Sequence, residues 1–374
     1  MNNPRIALIC FSPLRAGGVE THLLQIVEGM ASDFDFLAIG DAQEPFASQA
    51  RDRGAQVLPL CPSSKFDLGT ILELQGVFRR NRVAIVHTHE ARAGLLGRVA
   101  AKKAGRMSLH TVHTPAFFLA RSRGAIWAYQ RVEGLLNRFA SDGIVFVSPT
   151  IRDLYSRLGL APPGKSFLIP NGLEEDWFQA ERERRLSEGV QFLYVGRLAP
   201  EKNLPTLMEA FSRIAAEFPG TRLRIVGSGS LREELERMAS QEQLKGKVDF
   251  AGTLSREEVR EVMQESDAFV FPSRFESMSY TLLEAMACGL ACVATDVGGN
   301  RDLIADGASG ILVPPGNILA LESAMRSVAG SLALRRELGR AARERAREYT
   351  VEKMLQSTRG LYLSLLAPHN LRQD

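Results

Sequence analysis

Glu276 and Glu284 stand with seven residues between them in FESMSYTLLEAMACG, residues 275–289, among otherwise apolar and small neighbours. Carboxylates bind sugar and ribose hydroxyls well, because each oxygen accepts strong charge-assisted hydrogen bonds. In one unbroken helix residues eight apart lie ~12 Å apart along the axis and ~80° apart around it, too far to serve one small group. DAFVFPSRF instead reads as a strand running into a loop, and MSYTLLEAMACG as a helix ended by Gly289. Glu276 then precedes the helix and Glu284 lies in its early turns, so each meets a different part of one elongated ligand. The amides of Met278, Ser279 and Tyr280 fall between them at the helix amino terminus. The plainer alternative has Glu276 capping the helix and Glu284 paired with an arginine.

Three other stretches carry groups of this kind. In GRLAPEKN, Arg197 and Lys202 follow a strand and precede a helix start, and two cations beside helix amides make a seat for a diphosphate. A solvated loop with a Glu201/Lys202 pair is the simpler reading. Gly17-Gly18 falls where the first strand must turn into a helix opening near Val19 or Glu20, and amides there suit an anion. Gly227-Ser228-Gly229 is a fragment of the dinucleotide fingerprint, whose next glycine is replaced by Arg232, which weighs against an NAD-dependent oxidoreductase. His87, His89, His110 and His113 come from two strands, and no Cys or carboxylate completes a set, so no metal site is expected. His110 should point away from the face His113 uses. Asp33 and Asp35, at the start of an early strand, read as turn and surface residues.

The elements that must place these groups alternate along the whole chain. RIALICF (5–11), FDFLAIG (34–40), AQVLPL (55–60), VAIVHTH (83–89), MSLHTVH (107–113), GIVFVS (143–148) and KSFLIP (165–170) read as strands separated by helical lengths. After the charged, turn-like stretch 171–189 a second series follows: VQFLYVG (190–196), RLRIVG (222–227), KVDFAG (247–252), DAFVFP (267–272), LACVAT (290–295) and GILVPP (310–315). Near-continuous apolar strands alternating with helices indicate parallel sheets covered on both faces. The fold class is α/β, with two Rossmann-like doubly wound domains, 1–170 and 190–349, facing a central cleft, and 171–189 as linker. The tail 350–374 either closes the second domain or completes the first. Ligands of such sheets bind outside the carboxyl ends of the strands, so the residues to inspect are those just after each strand.

At 374 residues the chain exceeds a single core, in line with two domains. Apolar residues at 45% and charged residues at 24% are ordinary for a globular protein, and no apolar run approaches a membrane span. The four cysteines lie in apolar contexts and read as reduced core thiols. The expected location is cytoplasmic. Residues 1–170 hold 20 lysines and arginines against 13 acids, and Arg79 to Arg138 contains 12 basic residues opposed only by Glu90 and Glu133. Such a field attracts nucleic acid, anionic lipid or a phosphorylated substrate. PAFFLARSRGAIWAYQRVEGLLNRFA (115–140) mixes Phe117, Phe118, Trp127 and Tyr129 with Arg121, Arg123, Arg131 and Arg138, as an interfacial helix on anionic lipid would.

GRLAPEKN, GSGS, FAG and FPSRFESMSYTLLEAMACGLACVATDVGGNRDLIADGASGILVPPGN, taken in order, resemble the carboxy-terminal half of retaining family-four glycosyltransferases (glycosyl transferases group 1). Their fold is GT-B, and their E-x7-E signature matches Glu276 and Glu284. GGVETHLLQI, VHTHEARAGLLGRVAA and TVHTP are similar to the amino-terminal half. The resemblance implies a nucleotide-sugar donor, UDP-sugar favoured over GDP-sugar. Arg197 and Lys202 would hold its diphosphate, Glu284 the ribose and Glu276 the transferred sugar. It further implies that Gly17 and Gly18 approach the phosphates or acceptor, that His113 stands near the reacting sugar, and that His89 lines the cleft. No metal or other cofactor is required in this reading, the acceptor is a glycan or lipid-linked hydroxyl, and nucleic acid is not a partner. The protein would rest at the inner face of the cytoplasmic membrane. Many relatives have Gly or Pro where this chain has Met278-Ser279, so sugar choice does not transfer. The competing readings are a nucleotide-sugar epimerase of the same fold and an NAD-dependent oxidoreductase.

Overall fold

In the structure, a computed structural model, residues 3–11, 17–41, 44–64, 66–120, 122–179 and 189–367 are described. The chain divides into unit 1, residues 1–171 with 351–374, and unit 2, residues 172–350.

Unit 1 is built on β1 (Arg5–Cys10), β2 (Asp35–Gly40), β3 (Gln56–Pro59), β4 (Val83–His89), β5 (Met107–Val112), β6 (Gly143–Phe146) and β7 (Ser166–Leu168). All pair in parallel, in the order β3-β2-β1-β4-β5-β6-β7. Successive side chains of a strand face opposite ways, and β1 shows the consequence. Ile6, Leu8 and Cys10 pack with Leu23, Ile26 and Met30 of helix Gly18–Met30 and with Tyr362 of helix Val351–Leu366. Ala7 and Ile9 pack with Leu74 and Phe78 of helix Leu68–Arg80 and Leu96 of helix Ala91–Ala104. The carboxy-terminal helix therefore completes unit 1.

Unit 2 carries β8 (Gln191–Val195), β9 (Arg222–Val226), β10 (Val248–Gly252), β11 (Ala268–Phe271), β12 (Ala291–Thr295) and β13 (Ile311–Val313), parallel in the order β10-β9-β8-β11-β12-β13. In each sheet the order reverses once, between β1 and β4 and between β8 and β11. Loops leaving adjacent strands at such a point diverge and leave room for a ligand.

Two expectations need correction. The first part of the linker expected at 171–189 is built into the units: Asn171 belongs to unit 1, Leu173 bridges Thr350, and Trp177 and Phe178, in the 3-10 turn Glu175–Phe178, are core residues. Residues 180–188 lie outside the described residues. Of the four cysteines, all free thiols, three are buried but Cys61 is exposed, because it follows the edge strand β3 into a loop.

Candidate active site

The switch point of unit 2 gathers the charged residues singled out above. β8 ends in Gly196-Arg197 and a short turn, Pro200–Lys202, leading to helix Leu204–Glu217; β11 ends in the loop that carries Glu276. Arg274 N–H donates to the Glu201 carbonyl at 2.8 Å, tying the two loops. Lys202 Nζ ion-pairs with Glu276 Oε1, both side chains being largely buried, and lies 5.0 Å from the Phe271 ring centre. Arg197 pairs with Glu201 at 2.8 Å and stays 74% exposed, so Glu201 is the partner of Arg197 and not of Lys202. Tyr194, buried on β8, donates to the Arg197 carbonyl at 2.9 Å; burial, and then the Glu276 charge, push its phenol well above the usual range and keep it a donor.

Glu284 lies in helix Tyr280–Ala287, capped by Ser279, whose Oγ accepts from Leu282 N–H at 3.3 Å. Ser279, and not Glu276, is thus the cap. Met278 and Tyr280 are buried. Glu284 is itself 6% exposed. Its nearest cation is Arg256, with Nε 4.0 Å away, and Arg256 is committed mainly to Glu174 (Nη1 to Oε1 2.9 Å) while lying over the Trp177 ring. Burial outweighs the arginine and raises the Glu284 carboxyl to about 7. The arginine expected in the plainer alternative is present, but it leaves this carboxylate only partly compensated.

Backbone contacts fix the loops. A Cβ on Gly299 would lie 1.7 Å from the Ser277 carbonyl oxygen, and one on Gly298, at φ +37°, 1.8 Å from that of Glu276. Gly299 N–H donates to the Glu276 carbonyl at 2.9 Å, so the VGGN stretch is the bed on which Glu276 rests. Gly227, at φ +126°, likewise meets Gly196: its Cβ would fall 2.0 Å from the Gly196 oxygen. The glycine requirement at 227 comes from the neighbouring loop of the chain itself. Glycines 298 and 299 could have been found in the sequence from the paired-glycine signal. Arg256 and Glu174, 82 residues apart, left none.

Unit 1 presents a different chemistry at its own switch point. Gly17 is the residue before helix Gly18–Met30, and its carbonyl accepts from Thr21 N–H at 3.0 Å. His89, at the end of β4, is fully buried, with Nδ1 3.0 Å from Nε2 of half-buried His113 just beyond β5. His22, which the sequence reading passed over, joins them: its ring centre is 4.9 Å from that of His113 and 5.6 Å from that of His89. A signal was there, since His22, Ile26 and Met30 are four apart on the face that packs against the sheet. His110 does face the other way, against Gly94 and Arg98, with Nδ1 2.9 Å from Thr88 Oγ1. Burial holds these four imidazoles and that of His87 below their usual range, His22 down to about 4. They are neutral at neutral pH.

The amphipathic segment forms helix Arg123–Phe139. Its inner face is held by buried Arg98, whose guanidinium donates to Glu133 at 2.9 Å, Asn137 at 2.6 Å and Ser141 at 3.3 Å. Trp127, Leu135 and Phe139 are exposed on the same helix, with the Arg131 guanidinium 5.3 Å from the Trp127 ring centre. Phe118 is also exposed, and Arg123 opens the helix from an exposed position. Phe117, expected at this surface, is instead a core residue packed on Tyr155. His89, being fully buried, is likewise no surface residue. Arg121 lies outside the described residues.

Comparison with known proteins agrees with this division. The family model for Glycosyltransferase Family 4 matches residues 16–177, and that for Glycosyl transferases group 1 matches residues 175–345. The UDP-Gal:alpha-D-GlcNAc-diphosphoundecaprenol alpha-1,3-galactosyltransferase of Escherichia coli is 27% identical over 384 aligned residues, covering 97% of each chain. The phosphatidyl-myo-inositol mannosyltransferase of Mycobacterium tuberculosis is 28% identical over 83% of this chain and 82% of its own. The crystal structure of Anabaena Alr3699/HepE in complex with UDP and glucose superposes with a TM-score of 0.84 at 19% identity, covering 97% of this chain and all of that one, a likeness of fold. With one family matched across each unit and two parallel sheets of this topology, the chain belongs to the group 1 glycosyltransferases of the GT-B fold and is a glycosyltransferase.

Proposed function

We propose that the protein is a retaining glycosyltransferase. It would move a sugar from a nucleoside-diphosphate sugar, a UDP-sugar before a GDP-sugar, to a hydroxyl of a glycan or lipid-linked acceptor in cell-surface polysaccharide or glycolipid assembly. The observation that carries the donor seat is the Lys202–Glu276 pair with exposed Arg197 at one switch point, with under-compensated Glu284 in the helix that follows the same loop. A diphosphate entering there replaces the Glu276 carboxylate as partner of Lys202 and recruits Arg197. Glu276 is then released to accept from sugar hydroxyls, and Glu284 from the ribose. Met278, Ser279 and Tyr280 would contribute main-chain amides at the helix start, and Gly227 keeps the neighbouring loop close. The name of the Escherichia coli relative supports a UDP-sugar donor, and the names of both it and the Mycobacterium tuberculosis relative support a lipid-borne acceptor.

In the step itself the acceptor oxygen bonds to the anomeric carbon as its bond to the diphosphate breaks. The acceptor proton passes to the departing phosphate oxygen on the same face, which retains configuration. Charge grows on the diphosphate as it leaves, and preorganised Lys202, Arg197 and helix amides meet it without reorganising. His113 and the Gly17-Gly18 turn keep the roles that the family resemblance gives them, beside the sugar and the phosphates. Transfer in this reading needs no metal. Helix Arg123–Phe139 would place the enzyme on anionic lipid at the cytoplasmic face of the membrane through Trp127, Arg131, Leu135 and Phe139, with Phe118 and Arg123 beside them.

The reading is tested by incubating the protein with UDP-sugars, a polyprenyl-diphosphate glycan acceptor and a chelator, and following the product's anomeric proton by NMR. An axial anomeric linkage from an axial donor supports retention. An equatorial product contradicts it, and turnover of the donor to a new sugar without acceptor would establish an epimerase. Vesicles of anionic lipid at low salt should sediment the protein, and failure to do so would remove the membrane from the account.

A further inference from the structure

The imidazoles of unit 1 are unequal in how their nitrogens are used. His87 spends both, on Tyr362 OH and Thr111 Oγ1, each at 2.7 Å. His110 is turned away to Thr88. His22, His89 and His113 differ: each can offer a ring nitrogen so that the three lie within 4.8 Å of one another. His22 Nδ1 and His89 Nε2 are buried with no hydrogen-bond partner among the described residues. Leaving such a buried atom unsatisfied costs about 1–3 kcal/mol, so two in one cluster call for an occupant.

We propose that His22, His89 and His113 form a binding site for a borderline divalent cation of the zinc class, with a fourth position for water on the half-buried His113 side. Three neutral imidazoles are the donor set such ions prefer, and three protein ligands leave an open position. In a tetrahedral site with metal–nitrogen bonds near 2.0–2.1 Å the donors stand about 3.3 Å apart. The donor atoms stand within 4.8 Å of one another, so closure draws them from at most that distance to the tetrahedral spacing. Two of the three rings have neighbours behind them, as metal-binding imidazoles usually do. Asn171 lies beside His22, and His87 packs on His89 with ring centres 4.3 Å apart. Burial keeps the lone pairs unprotonated at neutral pH, so a cation meets little competition from protons. Occupancy would take the His113 nitrogen out of the transfer reaction and make the cation an inhibitor. That consequence rests on the proposed role of His113, whereas binding does not.

The test titrates the full chain as Cys61→Ser, which removes the exposed thiol, with Zn2+ against a chromophoric chelator and with Co2+ followed by visible absorption at neutral pH. One equivalent is expected to bind, cobalt should show the strong bands of a four-coordinate ion, and zinc should raise the melting temperature. His22→Phe, which keeps the ring volume, and His113→Ala, at a half-buried position, should each weaken binding by roughly 10-fold or more. The second variant decides if the first fails to fold. No stoichiometric binding to Cys61→Ser, or binding unchanged in the variants that fold, overturns the site and leaves a neutral polar cluster.

Discussion

The two units carry their candidate groups at equivalent places in similar sheets, yet handle charge in opposite ways. Unit 2 ionises its groups and balances them: Lys202 against Glu276, Arg197 against Glu201, Arg256 against Glu174. Unit 1 sets His22, His87, His89 and His113 together, with no carboxylate among their hydrogen-bond partners in the described residues, and burial strips them of charge. A site for a highly charged leaving group needs cations that are present before it arrives, at the cost of pairing them with carboxylates until then. A face built from neutral rings imposes no such exchange. It can meet a sugar or a cation through lone pairs alone.

The sharpest way to break this contrast is at Lys202. Lys202→Met keeps the volume and removes the charge, and the rate of transfer should fall ~10²–10³-fold, as when one preorganised donor is lost from a transition state. Steady-state kinetics check it, and a change confined to KM would mean that Lys202 acts only in ground-state binding.

Geometry ranks next. Gly299→Ala puts a methyl group 1.7 Å from a carbonyl oxygen and must displace the loop that carries Glu276. A misplacement of ~1 Å in such a loop costs ~10²-fold in rate. Gly360→Ala, in helix Val351–Leu366 with nothing within 4 Å of the new Cβ, should leave the rate alone and stabilise by about 0.5–1 kcal/mol. Equal rates in the two variants would remove the bed assigned to Gly299.

A change of pH also separates the units. The Glu284 carboxyl, raised from an ordinary 4.5 to about 7, stabilises the fold fully below pH 4.5, and this contribution is lost as pH rises through 7, a change of roughly 3 kcal/mol. His22, lowered from 6.5 to about 4, has the opposite sign: its contribution is full above pH 6.5 and is lost as pH falls through 4. Between pH 7 and pH 4, amide hydrogen exchange should therefore show protection rising in unit 2 and falling in unit 1. Glu284→Gln should flatten the unit 2 slope alone. A parallel response of both units would refute the contrast.

All thirteen strands are visible in the sequence, because each is a short apolar run bounded by turns, and the carboxylates, Arg197 and Lys202 stand just after them. What stayed hidden depends on distance along the chain. Arg256 and Glu174 meet across 82 residues, and nothing local marks either as a neighbour of Glu284. His22 sits in the apolar spacing of a helix and reads as one more core position. Phe117 shows the reverse failure: amphipathic company suggested a surface, but the 3-10 turn Ala116–Leu119 directs it onto Tyr155.

Thermal melting of the wild type and of Glu284→Ala with UDP, GDP, ADP and NAD at equal concentrations tests the donor seat most directly. A ligand at 100 times its dissociation constant adds ~2.7 kcal/mol to stability, an ample signal. The account predicts stabilisation of the wild type by UDP above the others, lost in Glu284→Ala. Stabilisation by NAD alone, or by UDP equally in both proteins, would contradict it.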